Sequence, residues 1–341
     1  MGRYADWQIE DGMYVDKEVM MAEEVKTAPT AAKKPTTAKK PQVPVKAPTA
    51  TKVAPEVTAA AVAQVTKPAP PAFKIGAPTR DRWLKMMVYG PYGAGKTWLS
   101  ATAREVEAMK DILLIDAEAG TLTIAGWPID VISINSFDQF ARVHEYLRLH
   151  CRFRDGKNVE KQKELEAKYR GVALDKIKTP RQYRTVIVDS LTEVQKYCMY
   201  QLLGIKVGEV ALDVESPRPE WAEWGKSSEM MRLLVRSFRD LPMHVIFVCA
   251  EQRQQDETGR YHYLPALPGK LAGEVQGFLD VVAYLRSSLP TEKSDQVRRR
   301  LFIQPGATYD AKDRYHAGAM ALPYIDEPTI AKFIETEGGE R

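Results

Sequence analysis

The chain has 341 residues, 28% of them charged, and a formal net charge of only +4. That balance excludes a whole-protein basic field, so any nucleic-acid site has to be a local patch. Three cysteines without metal-ligand spacing exclude a disulfide framework, and no apolar run is long enough to span a membrane, which together suit a reduced, cytoplasmic setting.

Residues 1–24 are acidic, with Tyr4, Trp7, Ile9, Met13, Tyr14 and Val15 interleaved. They are expected to form a short docking peptide, for a single-strand-binding protein or another replication partner. Residues 25–74 hold nine Lys, nine Pro and one acid, Glu56, with Phe73 as their single aromatic. Such a stretch cannot bury enough apolar surface to offset the entropy of ordering it, so residues 25–77 are expected to be a disordered linker. The globular part is expected over residues 78–341, ample for one large α/β domain.

Within it, strand-like and helix-like segments alternate. Leu84 to Tyr89 reads as a short apolar strand, and Trp98 to Met109 as a helix. Ile112 to Ile115 is an apolar strand ending at Asp116, Val131 to Ile134 another, and Phe137 to Leu149 a helix. Residues 152–181 are highly charged and read as a solvated, ion-paired helix. A buried strand at Thr185 to Val188 precedes a helix from Glu193 to Leu203. Ser228 to Leu241 is amphipathic, with Met230, Leu233, Leu234 and Phe238 on one side and Arg232, Arg236 and Arg239 on the other. Strands follow at His244 to Ala250, Val281 to Arg286 and Arg300 to Gln304. Short, continuously apolar strands separated by helices predict an α/β fold whose mainly parallel sheet is flanked by helices.

The first chemical signal is Gly90-Pro91-Tyr92-Gly93-Ala94-Gly95-Lys96-Thr97, followed by Trp98. It matches the P-loop pattern and lies between a strand and a helix. Glycines let successive backbone N–H groups turn toward phosphates, and the helix N-terminus adds partial positive charge. Lys96 is expected to reach the β- and γ-phosphates, and Thr97 to ligate Mg²⁺. Asp189 ends the apolar run Val-Ile-Val-Asp and is the candidate to hold that Mg²⁺ through water. Ser190 either assists or caps the next helix. Hydrolysis needs a carboxylate that polarises the attacking water, and Glu118, just after the second strand, is the candidate. Gln252 follows the strand His244 to Ala250, where an amide could detect the γ-phosphate; Glu251 competes for that task. No Asn-Lys-x-Asp or Leu-Ser-Gly-Gly-Gln motif occurs, so ATP is the expected nucleotide.

The order P-loop, Asp116-Ala117-Glu118, Ile187 to Val194, an Arg-rich helix within Glu223 to Pro242, Ala250-Glu251-Gln252, Leu264 to Leu285 and Ala311-Lys312-Asp313-Arg314 resembles RecA-like ATPases. More closely it is similar to the phage RecA-like proteins that anneal single-stranded DNA. The resemblance covers about residues 80–335. It implies a RecA-like P-loop core, ATP and Mg²⁺ as cofactors, and a homo-oligomer whose ATP site is completed by the adjacent subunit. It implies that Glu118 is the catalytic glutamate and Gln252 the γ-phosphate switch. It places DNA-binding loops at residues 206–226 and from Gln252 to about Lys270. Lys312 and Arg314 fall where such proteins project cations into the neighbouring site; the alternative for them is surface pairing with Asp310 and Asp313. The N-terminal docking elements and the separate C-terminal domain of RecA itself are not recognisable here.

Arg253, Arg260, Tyr261 and Lys270, with His262 and Tyr263, mix cations and aromatics in a way that suits single-stranded DNA. Trp221 and Trp224, near Arg218 and Lys226, either join such a surface or pack in the core. The expected function is thus an ATP-hydrolysing protein acting on single-stranded DNA in phage recombination, annealing or replication. The rivals are a DNA motor, either helicase or packaging ATPase, and a non-catalytic ATP-gated loader.

Overall fold

A computed structural model describes residues 7–10, 13–16, 83–205, 217–255, 257, 259–288, 297–316 and 322–335. The linker expected at 25–77 and the first half of the loop expected at 206–226 lie outside these residues. Two compact units are separated between Lys74 and Ile75. The described residues of the first form an antiparallel pair, β1 (Trp7–Glu10) with β2 (Met13–Asp16). The Asp11-Gly12 pair between them is a favoured hairpin sequence.

The second unit begins its regular structure with β3 (Lys85–Gly90), α1 (Lys96–Ala101), β4 (Ile112–Asp116), β5 (Asp130–Ser133), α2 (Phe137–Phe153) and α3 (Val159–Arg170). It continues with β6 (Thr185–Asp189), α4 (Leu191–Leu202), α5 (Trp221–Arg239), β7 (His244–Gln255), β8 (Tyr261–Pro265) and α6 (Leu271–Phe278). β9 (Val281–Ser287), β10 (Arg299–Phe302), β11 (Lys312–Asp313), β12 (Tyr324–Asp326) and α7 (Ile330–Glu335) complete it.

The main sheet runs β12-β10-β9-β3-β7-β6-β4-β5. From β9 to β5 every pairing is parallel, whereas β10, β11 and β12 add antiparallel strands beyond β9. β3, β4 and β6 are buried throughout, because two apolar layers cover the sheet. One contains Phe140, Leu147, Val235, Phe238 and Phe247 from α2, α5 and β7; the other contains Leu99, Met109, Ile330 and Phe333 beside Met86, Val88 and Ile246. The expected mainly parallel, doubly covered sheet is therefore present. Its strand order inserts β7 between β3 and β6, so the three strand tips that carry Gly90, Gln252 and Asp189 are neighbours.

Several local expectations change. The helix expected from Trp98 to Met109 is only α1 followed by a 3-10 turn at Thr102–Glu105. Thr102 Oγ1 donates to Leu99 O at 2.6 Å and accepts from Ile330 N at 2.9 Å, which diverts the ladder and docks α7 there. In α5 the buried face is Met231, Leu234, Val235 and Phe238, while Leu233 is 57% exposed. Trp221 is 94% exposed and so not a core residue. The charged stretch is not uniformly solvated. Arg154 and Glu166 are buried, and Arg154 Nη1 donates to Tyr183 O at 2.7 Å. The segment expected as a loop after Gln252 is an antiparallel ribbon, because β7 continues to Gln255 and pairs with β8.

Candidate active site

The turn between β3 and α1 follows from two glycines. A Cβ on Gly90 would lie 2.1 Å from the backbone oxygen of Leu285 on β9. Gly95 has φ +92°, a left-handed conformation that side chains disfavour, and it precedes the helix as its N-cap. The amides of Tyr92, Gly93, Gly95, Lys96 and Thr97 have no hydrogen-bond partner among the described residues. A run of unpaired amides at a helix start is an anion cradle. Lys96 Nζ folds back over it, donating to Gly90 O at 2.9 Å and Pro91 O at 2.8 Å. Burial lowers the Lys96 pKa, against the attraction of Glu118 and Asp189. Tyr92 is 74% exposed and its ring centroid is 5.5 Å from Lys96 Nζ. Trp98 packs edge-on to Trp127 at 6.3 Å.

Asp189 closes β6 and sits against this cradle. Thr97 Oγ1 donates to Asp189 Oδ2 at 2.5 Å. Burial raises the Asp189 pKa from 3.8 to about 6; the Thr97 bond opposes the rise, and Glu118 and Asp116 add to it. Magnesium suits this pair of hard oxygen donors. Among the described residues no group of three or more His, Cys, Asp or Glu could hold a metal alone. One or two protein oxygens, with water and phosphate supplying the rest, is the usual way a site holds Mg²⁺.

Glu118 joins the same corner through register, since β4 pairs with β6 and Asp116 lies opposite Asp189. Ala117 N donates to Asp189 O at 2.7 Å. The buried Asp116 accepts from Glu118 N at 3.2 Å and Gly120 N at 3.3 Å, and so shapes the turn that presents Glu118. Ser190 Oγ donates to Glu118 Oε1 and also accepts from Glu193 N at 3.4 Å as the N-cap of α4. The capping reading of Ser190 is met, and the same hydroxyl also reaches Glu118. Glu118 itself is exposed, open to water.

Lys96, Thr97, Asp189 and Glu118 are thus brought together. Gln252 is beside them in the sheet, two residues beyond the pairing of Gly90 with Ala250, but its Nε2 donates to Leu267 O at 3.0 Å. Glu251 accepts from Tyr284 OH at 2.9 Å. Lys312 and Arg314 lie toward the opposite edge. Lys312 pairs with Val282, level with Met87, and Arg314 N donates to Asp280 O at 2.9 Å, level with Lys85. Arg314 is some five residues below Gly90, about 17 Å along the strand, and so beyond its own P-loop. Its side chain is exposed. Lys312 is committed within its own subunit, where Nζ donates to Gln276 O and burial lowers its pKa to about 8. Among the described residues the alternative surface pairs do not form: Asp310 bonds His262 and Gln276, and Asp313 bonds His316.

Arg253, Arg260 and Tyr261 are exposed on or beside the β7–β8 ribbon, with the Arg253 guanidinium 4.2 Å over the Tyr261 ring. Lys270 is exposed at the start of α6. Sequence reasoning missed a link from the P-loop strand to this ribbon. Tyr89 OH is 2.6 Å from Asp310 O and 3.2 Å from Tyr263 O, and it accepts from Asp310 N at 3.0 Å. It also missed Asp116, which the acid-rich Asp-Ala-Glu turn could have signalled. All three cysteines are buried and free, and among the described residues no helix is long and apolar enough to cross a membrane.

A comparison with curated proteins finds no match. The sequence model of the AAA domain matches residues 82–315, more than half of the chain and all of the cradle, Glu118, Asp189 and Gln252, and the chain belongs to this family of nucleotide-binding P-loop ATPases.

Proposed function

We propose that this chain hydrolyses ATP and uses the cycle to control its grip on single-stranded DNA during recombination or replication of a phage genome. The observation that carries the reading is the convergence of Thr97, Asp189, Ser190 and Glu118 at one corner of the cradle. The cradle amides and Lys96 hold the phosphate chain; Lys96 leaves the Gly90 and Pro91 carbonyls to do so. Bound Mg²⁺ would neutralise charge on the β- and γ-phosphates, held by Thr97 and Asp189. Glu118 orients water for in-line attack, with its carboxylate positioned by Ser190 and by the Asp116 turn.

The exposed ribbon supports the DNA part, because cations interleaved with aromatic rings suit stacked single-stranded bases and their phosphates. Tyr89 lies one residue before Gly90 and touches both Asp310 and the ribbon residue Tyr263, which offers a route between nucleotide and ribbon. The distance of Arg314 from its own cradle favours a role in a neighbour's site, and hence a homo-oligomer. Lys312 is the weaker candidate, since Gln276 already holds it. The N-terminal hairpin is the proposed docking element for a replication partner.

The test is ATP turnover with and without single-stranded DNA, duplex DNA and RNA. Stimulation of about tenfold or more by single-stranded DNA alone is expected. Stimulation by duplex alone, with strand separation, would replace this reading with the motor, and no turnover under any condition would replace it with the loader.

A further inference from the structure

Arg299 opens β10, and its pairing with Ser287 places it beyond Leu285, level with the cradle. Its Nε donates to Ala94 O at 3.2 Å. A Cβ on Gly95 would lie 3.1 Å from that Nε and 3.8 Å from Cζ, so the guanidinium presses on the residue just before Lys96. The backbone behind it is held on both sides: Arg299 N donates to Glu327 Oε1 at 3.0 Å, and Glu327 N donates to Arg299 O at 2.9 Å.

Among the described residues neither Nη of Arg299 makes a hydrogen bond, and no carboxylate lies within ion-pair distance of it. Its neighbour Arg300, by contrast, pairs with Asp326 at 2.7 Å. An anchored cation against Ala94 and Gly95, with its Nη groups unpaired among the described residues, adds to the positive potential of the unpaired amides and so favours an anion there. Arginine is also the side chain that can keep one donor on a carbonyl while offering others to a phosphate.

We propose that Arg299 is a phosphate-contacting residue of the nucleotide site, which uses Nε to hold the Ala94 carbonyl and its Nη groups to bind the phosphate chain. It supplies in cis a second cation beside Lys96, independently of any cation from a neighbouring subunit. Gly95 then has two reasons to lack a side chain, its left-handed backbone and the clearance Arg299 needs. The inference rests on the reading of Gly90–Thr97 as a triphosphate site.

The test is displacement of a fluorescent ATP analogue from the full chain and from its R299A, R299K and K96A variants. ATP, tripolyphosphate and adenosine serve as competitors, and melting without nucleotide checks folding. R299A should weaken ATP and tripolyphosphate by about tenfold or more, the scale of a lost charge-assisted pair, and leave adenosine unchanged. R299K should fall between, since Lys keeps the charge but cannot serve carbonyl and phosphate together. Equal ATP affinity in the wild type and R299A overturns the proposal, as does a loss confined to adenosine. If R299A does not melt cooperatively, R299K decides, and wild-type affinity there overturns the proposal. A wild type that binds no ATP, like K96A, removes the triphosphate site itself, whereas binding by the wild type with an unaffected R299A removes only the role of Arg299.

Discussion

Replacing Asp189 with Asn separates what this residue costs the fold from what it does for the site. Asp189 is 4% exposed, and burial raises its pKa from 3.8 to about 6. The folded value lies above the unfolded one, so the folded chain holds the proton more tightly. The favourable contribution is complete below about pH 4 and is lost as pH rises through about 6. The gap of about two pH units corresponds to about 3 kcal/mol against the ionised form at neutral pH. Asn has nearly the same shape, carries no charge and can still accept from Thr97 Oγ1, losing about 1 kcal/mol of charge-assisted strength. The nucleotide-free variant should therefore gain about 1–2 kcal/mol near pH 7.5, a rise of about 3–6 °C in Tm for a domain of this size. Near pH 4.5 the difference should shrink toward zero, because wild-type Asp189 is then protonated in the fold. With magnesium and ATP the order reverses: the wild type should gain about 3 kcal/mol at a hundredfold excess over Kd, and the variant much less. Calorimetry at both pH values, with and without nucleotide, reads all of these. A variant that melts below the wild type near pH 7.5 without nucleotide, or an advantage that persists near pH 4.5, would refute the reasoning.

Glu118→Gln should bind ATP normally yet lower turnover by about 10²–10⁴-fold, the range of lost general-base catalysis, so nucleotide stays trapped; wild-type turnover in single-turnover assays would remove Glu118 from the mechanism. Gly90→Ala should destabilise the fold by about 3 kcal/mol or more in denaturant titration, because its Cβ meets a β9 backbone oxygen that both strands hold in place; a wild-type midpoint would contradict that packing. Arg314→Ala subunits mixed into wild type should depress turnover more than in proportion to their share, and a strictly proportional loss would argue against a role in the neighbour's site.

The chemistry legible in the sequence is the chemistry carried by local pattern. Gly90 to Thr97 specifies a turn, a run of free amides and a helix start within eight consecutive residues. Asp189 and Glu118 are readable because each follows an apolar strand, and a parallel sheet gathers strand ends along one edge. The alternation of strands and helices was equally local, and so was the P-loop helix start, although Thr102 and Ile330 decided where that helix stops. What only the tertiary structure decided depends on register between distant strands. Ser190 meets Glu118 because β4 pairs with β6 in one particular offset. Lys312 is tied down and Arg314 lies toward the far edge because β11 pairs low on β9. Arg299 reaches Ala94 because β10 pairs high on the same strand. These contacts join residues tens to hundreds of positions apart, and a shift of one residue would turn each side chain to the other face of the sheet. Local composition therefore marks the glycine-rich cradle, and sheet register decides which further side chains lie against it.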